Sequence, residues 1–300
     1  MPPDVTASAA GREGGAGRAA DRVRLGYLGP PGTFSEEAAL AFAAQRASGR
    51  AELVPFRSIP DILAAVERGE VNLGVVPAEN ALEGTVYLTL DALVHEVDVR
   101  ICGELVIPVR HLLLAPPGTG LQEIRRVASH PQALAQCRRS LQRLLPGVET
   151  MAAASTAEAA RLVAEGGPGT AALATRRAAH LYGLAVLAED LQDMEDNATR
   201  FFVVGREDAP PTGRDKTSIA FAFAVDRPGN LYHALGEFAH REINLTKLES
   251  RPTRKALGQY LFLADLEGHR QEPRIAEALA GLGRQCSFLK VLGSYPRAHP

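Results

Sequence analysis

The sequence predicts an α/β protein in which two facing α/β lobes precede a smaller, ferredoxin-like βαββαβ unit. Three observations carry that prediction. Strand–turn–helix units come in two successive sets between residues 23 and 187, with polar residues at the helix starts. A segment holding Pro210, Pro211 and Gly213 then reads as a linker. Beyond it the elements recur in the order β-α-β-β-α-β, the split βαβ pattern. The expected boundaries are a disordered tail over 1–22, the two-lobed domain over 23–206, the linker over 207–215 and the last unit over 216–296.

Taken in order, residues 23–28 alternate as a short strand and feed Gly29-Pro30-Pro31-Gly32. Thr33 and Glu36 have capping-box spacing, so a helix is expected from there to Ala47. A strand, a Gly-rich turn and a helix start can offer amide N–H groups to an anion, or be an ordinary βα turn. The turn is neither a Walker loop nor G-x-G-x-x-G, which argues against a nucleotide. Residues 52–56 read as a second strand, 59–68 as a helix and 73–77 as a third strand running into Glu79 and Asn80. The end of a buried strand is where open α/β sheets place ligand contacts.

Residues 101–114 read as extended with Pro108 interrupting, and then the pattern restarts. Residues 126–129 are a strand, and Ser129-His130-Pro131-Gln132 opens a helix with Pro131 in its first turn. Strands over 148–153, 171–174 and 185–187 alternate with helices over 155–165 and 175–182. Ser155 and Glu158 form a second capping box, which accounts for Ser155 without a catalytic role. Gln132 stands evenly between a site residue and a surface one. Residues 197–205 are a turn feeding a buried strand, with Thr199 at its mouth. Strand alternation puts Arg200 on the face opposite Thr199, where a pairing with Glu79 is expected. In the last unit, strands are expected over 217–225, 245–249, 257–266 and 288–292, and helices over 229–241 and 273–282.

Composition excludes several functions. A net charge of −2 without a Lys/Arg block argues against a nucleic-acid partner. The three cysteines are far apart and the eight histidines scattered, so reduced thiols and no metal or other cofactor are expected. No apolar run is long enough for a membrane span, and residues 1–20 lack the apolar core of a signal peptide. A cytoplasmic location is the expectation.

Five stretches together resemble the prephenate dehydratase family with a C-terminal ACT regulatory domain. They are Gly29 to Ser35, Pro77 to Val86, Ser129 to Gln132, Asn197 to Phe201 and Glu249-Ser250-Arg251-Pro252, in an order that spans nearly all of residues 23–295. The resemblance implies a two-lobed, periplasmic-binding-protein-like (type II) catalytic domain that converts prephenate to phenylpyruvate, releasing carbon dioxide and water. It puts the family's essential threonine on Thr199, with Asn80 and Gln132 as active-site amides. Thr33, Ser35, Glu79 and Ser129 are expected to line the substrate. Phenylalanine is expected as feedback effector at ACT interfaces of a homodimer or homotetramer, through Gly229, Asn230, Leu231, Glu249, Ser250, Arg251 and Pro252. The chain departs from the family at Ala81, where relatives usually have serine.

The chemistry suits such residues. The pyruvyl carboxylate needs an anion site, which helix N-termini supply without metal. Strong ionic contacts to the departing carboxylate would instead stabilise the ground state. A threonine hydroxyl is too weak an acid for tuned general-acid catalysis, so Thr199 is expected to act as a pre-organised hydrogen-bond donor. The rival readings are an arogenate dehydratase or prephenate decarboxylase on the same scaffold, and a non-catalytic amino-acid sensor.

Overall fold

The computed structural model describes residues 22–46, 51–166, 168–252 and 260–298. Most of the expected tail, Ala47 at the end of the first helix and residues 257–259 of an expected strand lie outside the described residues. The first lobe is built from β1 (Val23–Leu28), α1 (Phe34–Arg46), β2 (Ala51–Phe56), α2 (Ile59–Glu67), β3 (Leu73–Asn80), β4 (Gly84–Thr85), α3 (Tyr87–His95) and β5 (Arg100–Pro108). The second holds β6 (Leu112–Ala115), β7 (Arg126–Ser129), α4 (Pro131–Gln136), α5 (Arg138–Leu144), β8 (Glu149–Ala152), α6 (Thr156–Glu165), β9 (Thr170–Ala174), α7 (Arg176–Tyr182) and β10 (Ala185–Ala188). β11 (Ala198–Gly205) then returns to the first lobe.

The extended stretch predicted across Pro108 is therefore two strands in two different lobes. Both lobes share one strand order. The first runs β2-β1-β3-β11-β5 and the second β8-β7-β9-β6-β10. In each, three parallel strands are followed by an antiparallel strand that has just crossed from the other lobe. The two crossovers lie side by side: Val109 donates its N–H to the Asn197 carbonyl at 2.8 Å, and Leu191 donates to the His111 carbonyl at 3.0 Å.

The helix starts follow from their caps. Ser155 Oγ accepts the Glu158 amide at 2.9 Å, and Thr175 Oγ1 accepts the Ala178 amide at 3.0 Å. The Thr33 box is half-formed: Thr33 Oγ1 accepts the Glu36 amide at 3.4 Å, while Glu36 reaches back to Gly32 N–H at 2.6 Å. Helix α3 was not expected from the sequence. Its cap position is Val86, which makes no side-chain capping bond, so no start signal precedes it. Tertiary packing holds it instead, through buried Leu90, Ala92 and Leu93 and a Thr89 Oγ1 bond to the Pro77 carbonyl at 2.6 Å.

The last unit comprises β12 (Asp215–Ala222), α8 (Asn230–Ala239), β13 (Leu245–Pro252), β14 (Tyr260–Glu267), α9 (Pro273–Gln285) and β15 (Phe288–Pro296). Its antiparallel sheet has the order β13-β14-β12-β15. One face packs Phe221, Ile219 and Leu266 on Ala234 and Phe238 of α8 and Leu282 of α9. The other face adds Leu263, Leu292 and Tyr295 to the core of the first lobe, beside Phe202, Val76 and Leu93. Gly293 lets the backbones touch there, since a Cβ would collide with the Ile101 main chain. No helix among the described residues is long and apolar enough to cross a membrane.

Candidate active site

β3 and β11 carry the central pair of side chains. Their antiparallel register sets Thr199 opposite Asn80 and Arg200 opposite Glu79. Because strand side chains alternate in direction, the first couple faces the cleft between the lobes and the second faces away from it. The cleft, about 220 Å³, is lined by Asn80, Thr199, Phe34, Val109 and His111 on one side. Across it stand His130, Gln132, Ala133, Gln136, Ala154, Ser155 and Thr156. Among these described residues there is no lysine or arginine.

The hydrogen bonds around Asn80 have a forced polarity. Its Oδ1 accepts the amides of Leu82 and Glu83 at 3.0 and 3.2 Å, and backbone N–H groups can only donate. Nδ2 therefore points the other way, donating to Asn197 Oδ1 at 3.0 Å and to Thr199 Oγ1 at 3.0 Å. Asn197 in turn donates from Nδ2 to Gln136 Oε1 at 3.3 Å, and Gln136 donates from Nε2 to Glu83 Oε1 at 3.4 Å. The Thr199 oxygen thus receives a bond and keeps its own proton to give.

His111 completes the wall. Its Nε2 lies 3.2 Å from Gln136 Oε1, an acceptor only, so that nitrogen carries the hydrogen and Nδ1 is the bare one. Nδ1 is buried and has no hydrogen-bond partner among the described residues. Burial pulls the imidazole below its ordinary pKa, so the ring is neutral at physiological pH, edge-on to Phe34 at 5.5 Å. The lobes also meet beyond the cleft. Thr175 Oγ1 donates to the Gly32 carbonyl at 2.7 Å, and Arg177 pairs with Glu36 at 3.0 Å.

Thr199, Asn80 and Gln132 share this cleft, Gln132 reaching it from the second lobe. Three of the four expected substrate contacts are otherwise engaged, and the fourth is buried away from the cleft lining. Glu79 lies on the reverse face, bound by Lys247 at 2.9 Å. Ser129 is fully buried and donates to the Leu173 carbonyl at 2.7 Å. Thr33 caps α1 and donates to the Leu28 carbonyl at 3.2 Å. Ser35 is buried in the first turn of α1 and is not among the cleft-lining residues. Arg200 faces away from Thr199, but its main partners are Glu104 and Asp265, each at 2.7 Å, with Glu79 only at 3.8 Å.

Ala81 is exposed and ties its N–H to the Ala198 carbonyl at 2.9 Å. In the last unit, Asn230 donates to the Val225 carbonyl at 2.8 Å, Leu231 packs on the core and Gly229 holds a left-handed φ of 90°. Glu249 and Arg251 turn toward the first lobe, to Thr85 at 2.6 Å and Asp91 at 2.7 Å, while Ser250 and Pro252 are exposed.

The sequence reading missed Gln136, Asn197 and His111, and two of them had a signal. Gln136 is four residues beyond Gln132, one helical turn along the same face. Asn197 is two residues before Thr199, hence on the same side of an extended segment. His111 had none, because its place depends on the pairing of the two crossovers.

The prephenate dehydratase family model matches residues 25–209, and the ACT domain model matches residues 217–284. The chain is 45% identical over 278 residues to a prephenate dehydratase of Amycolatopsis methanolica, covering 92% of this chain and 89% of that protein. It is also 45% identical over 278 residues to a bifunctional chorismate mutase/prephenate dehydratase of Aquifex aeolicus, covering 92% and 74%. The crystal structure of a prephenate dehydratase from Arthrobacter aurescens in complex with L-Phe superposes with a TM-score of 0.83 at 39% identity, covering 92% of this chain and 90% of that one.

Proposed function

The chain belongs to the prephenate dehydratase family, with an ACT domain at its C-terminal end, and we propose that Thr199, presented by Asn80, carries its dehydration step. Prephenate must break two bonds. The ring carboxylate leaves as carbon dioxide, its bonding electrons aromatise the ring, and the ring hydroxyl departs with its electron pair and a proton as water. Charge therefore builds on that hydroxyl oxygen in the transition state. A hydroxyl whose oxygen is already held by the Asn80 amide is aimed to donate there, and it needs no reorganisation as charge develops.

The surroundings suit the rest of the substrate. A cleft wall without lysine or arginine gives the departing carboxylate no strong ionic partner to leave behind. The neutral His111 ring has the same virtue. For the pyruvyl carboxylate, the first turns of α1 and α6 reach the cleft at Phe34 and at Ser155 and Thr156, bringing amide N–H groups that a helix leaves unsatisfied. Gln132 orients the substrate from the second lobe. Phenylalanine acts as effector at the ACT domain, through the Gly229–Leu231 turn and the segment 249–252, in a homodimer or homotetramer.

The observation that carries this reading is the 3.0 Å bond from Asn80 into Thr199. The test is product analysis at neutral pH with prephenate, with and without phenylalanine. Phenylpyruvate well above the uncatalysed blank, lost in Thr199→Val and suppressed by phenylalanine, is the expected result. A non-aromatic decarboxylated product, or full activity in Thr199→Val, overturns it.

A further inference from the structure

We infer that Asp265 and Lys247 of the ACT domain are positioning residues for the dehydration, fixing the Thr199–Asn80 pair from its reverse side. This rests on the reading of Thr199 given above. On its other edge β11 pairs with β5 in unbroken register over Ala198–Val203, but its pairing with β3 is less regular. The β3–β11 register slips between Arg200 and Phe201, directly after the Arg200–Glu79 couple. Such a bulge interrupts the ladder and bends the strand that contains it. Asn80 holds the Thr199 oxygen from the front, and the bulge behind the pair leaves a role for a hold from the reverse side.

The ACT domain supplies it. All three nitrogens of the Arg200 guanidinium are engaged: Nε donates to Glu104 at 2.7 Å, Nη1 to Asp265 at 2.7 Å and Nη2 to Tyr295 Oη at 2.9 Å. Two of these partners belong to the ACT sheet, and Ser218 donates to Asp265 Oδ1 at 2.6 Å, holding that carboxylate in turn. A planar guanidinium bonded at every nitrogen has a fixed direction, and Arg200 is the chain neighbour of Thr199. The second point of hold is Lys247, whose Nζ donates to Glu79 at 2.9 Å and to Thr85 Oγ1 at 2.8 Å. Glu79 is the chain neighbour of Asn80, and Thr85 closes the β4 hairpin whose loop carries Glu83 to Gln136. Both members of the front pair are thus restrained through the residue next to them. The ACT domain steadies a site it does not line.

Neither residue touches the cleft, so removing it leaves substrate binding intact and disturbs only the aim of the donor. Small misplacements of a reacting group cost up to about a hundredfold in rate, and a tenfold fall in kcat is the effect to look for. The experiment uses the full chain carrying Asp265→Asn, Lys247→Met or Lys247→Arg, with Thr199→Val as reference. We expect Asp265→Asn and Lys247→Met to lower kcat about tenfold or more with KM within about threefold, and Lys247→Arg to recover most of the loss. A merely structural role would lower the melting temperature without splitting kcat from KM. Wild-type kcat in folded Asp265→Asn or Lys247→Met, or a change confined to KM, overturns the proposal. If Thr199→Val is inactive in the same assay, the reading of the site survives that outcome. If Thr199→Val is as active as wild type, both fail.

Discussion

The two faces of the β3–β11 pair are made of opposite materials. The cleft face is neutral: Asn80, Asn197, Gln136, Thr199 and an uncharged His111 pass hydrogen bonds from one to the next. One residue along each strand, the reverse face is ionic: Arg200, Glu104, Asp265, Lys216, Glu79 and Lys247 form a network between domains. Burial works against the Arg200 charge, yet Tyr295, Asp265 and Glu104 around it raise its pKa above the ordinary value. Buried charges are tolerable where each has a permanent partner. A face that must let a carboxylate depart as a neutral gas is better served by donors that do not bind it tightly in the ground state.

The contrast can be broken most decisively from the ionic side. Arg200→Met leaves Glu104 and Asp265 buried with a lost partner, and should cost about 3–5 kcal/mol in denaturant unfolding. A loss under about 1 kcal/mol would mean the network contributes nothing to docking. From the neutral side, Thr199→Val should lower kcat by about 10²–10³ with little change in melting temperature, as when a pre-organised donor is removed. Thr199→Ser retains the hydroxyl and should stay much closer to wild type. Equal losses in both would make Thr199 a steric wedge rather than a donor.

Ser129→Ala tests a residue that moved out of the site. It should cost about 1 kcal/mol of stability for its bond to Leu173, with phenylpyruvate formation unchanged. A drop in kcat at unchanged stability would return Ser129 to the substrate.

The smallest effect concerns acid. His111 has a folded pKa pulled below 6.5 by burial, so as pH falls through that value the unfolded chain takes up a proton that the folded one resists. Its stability contribution is therefore present above pH 6.5 and lost below it. His111→Gln should show a shallower fall in melting temperature from neutral pH into mild acid. An unchanged slope would mean other groups set the acid limit.

The residues legible in advance were those governed by short-range rules. Ser155 and Thr175 announced helix starts because a hydroxyl three residues before an amide caps it within one turn. Thr199 and Arg200 separated correctly because the strand period of two depends only on their being neighbours. The same rule, applied to Glu79 and Asn80, would have kept Glu79 out of the cleft. Placing both after the strand instead of within it obscured their opposite directions. Helix α3 stayed hidden because its hold is tertiary, through Thr89 and a buried apolar face, rather than a cap.

By itself, then, the sequence determined the α/β units, the presence of a C-terminal ACT domain, and a hydroxyl at the mouth of a buried strand with an amide at the end of another. Only the tertiary structure decided what those two groups meet. Asn80 and Thr199 are 119 residues apart, and it is the return crossover that lays β11 beside β3 and His111 beside Gln136. Likewise, nothing local to Arg200 indicates that one of its carboxylate partners, Asp265, lies on another domain, 65 residues on. Capping and alternation act within a few residues and can be read from any stretch of chain. The convergence of crossovers and the docking of one sheet on another depend on which buried surfaces fit together, a property of the folded chain as a whole.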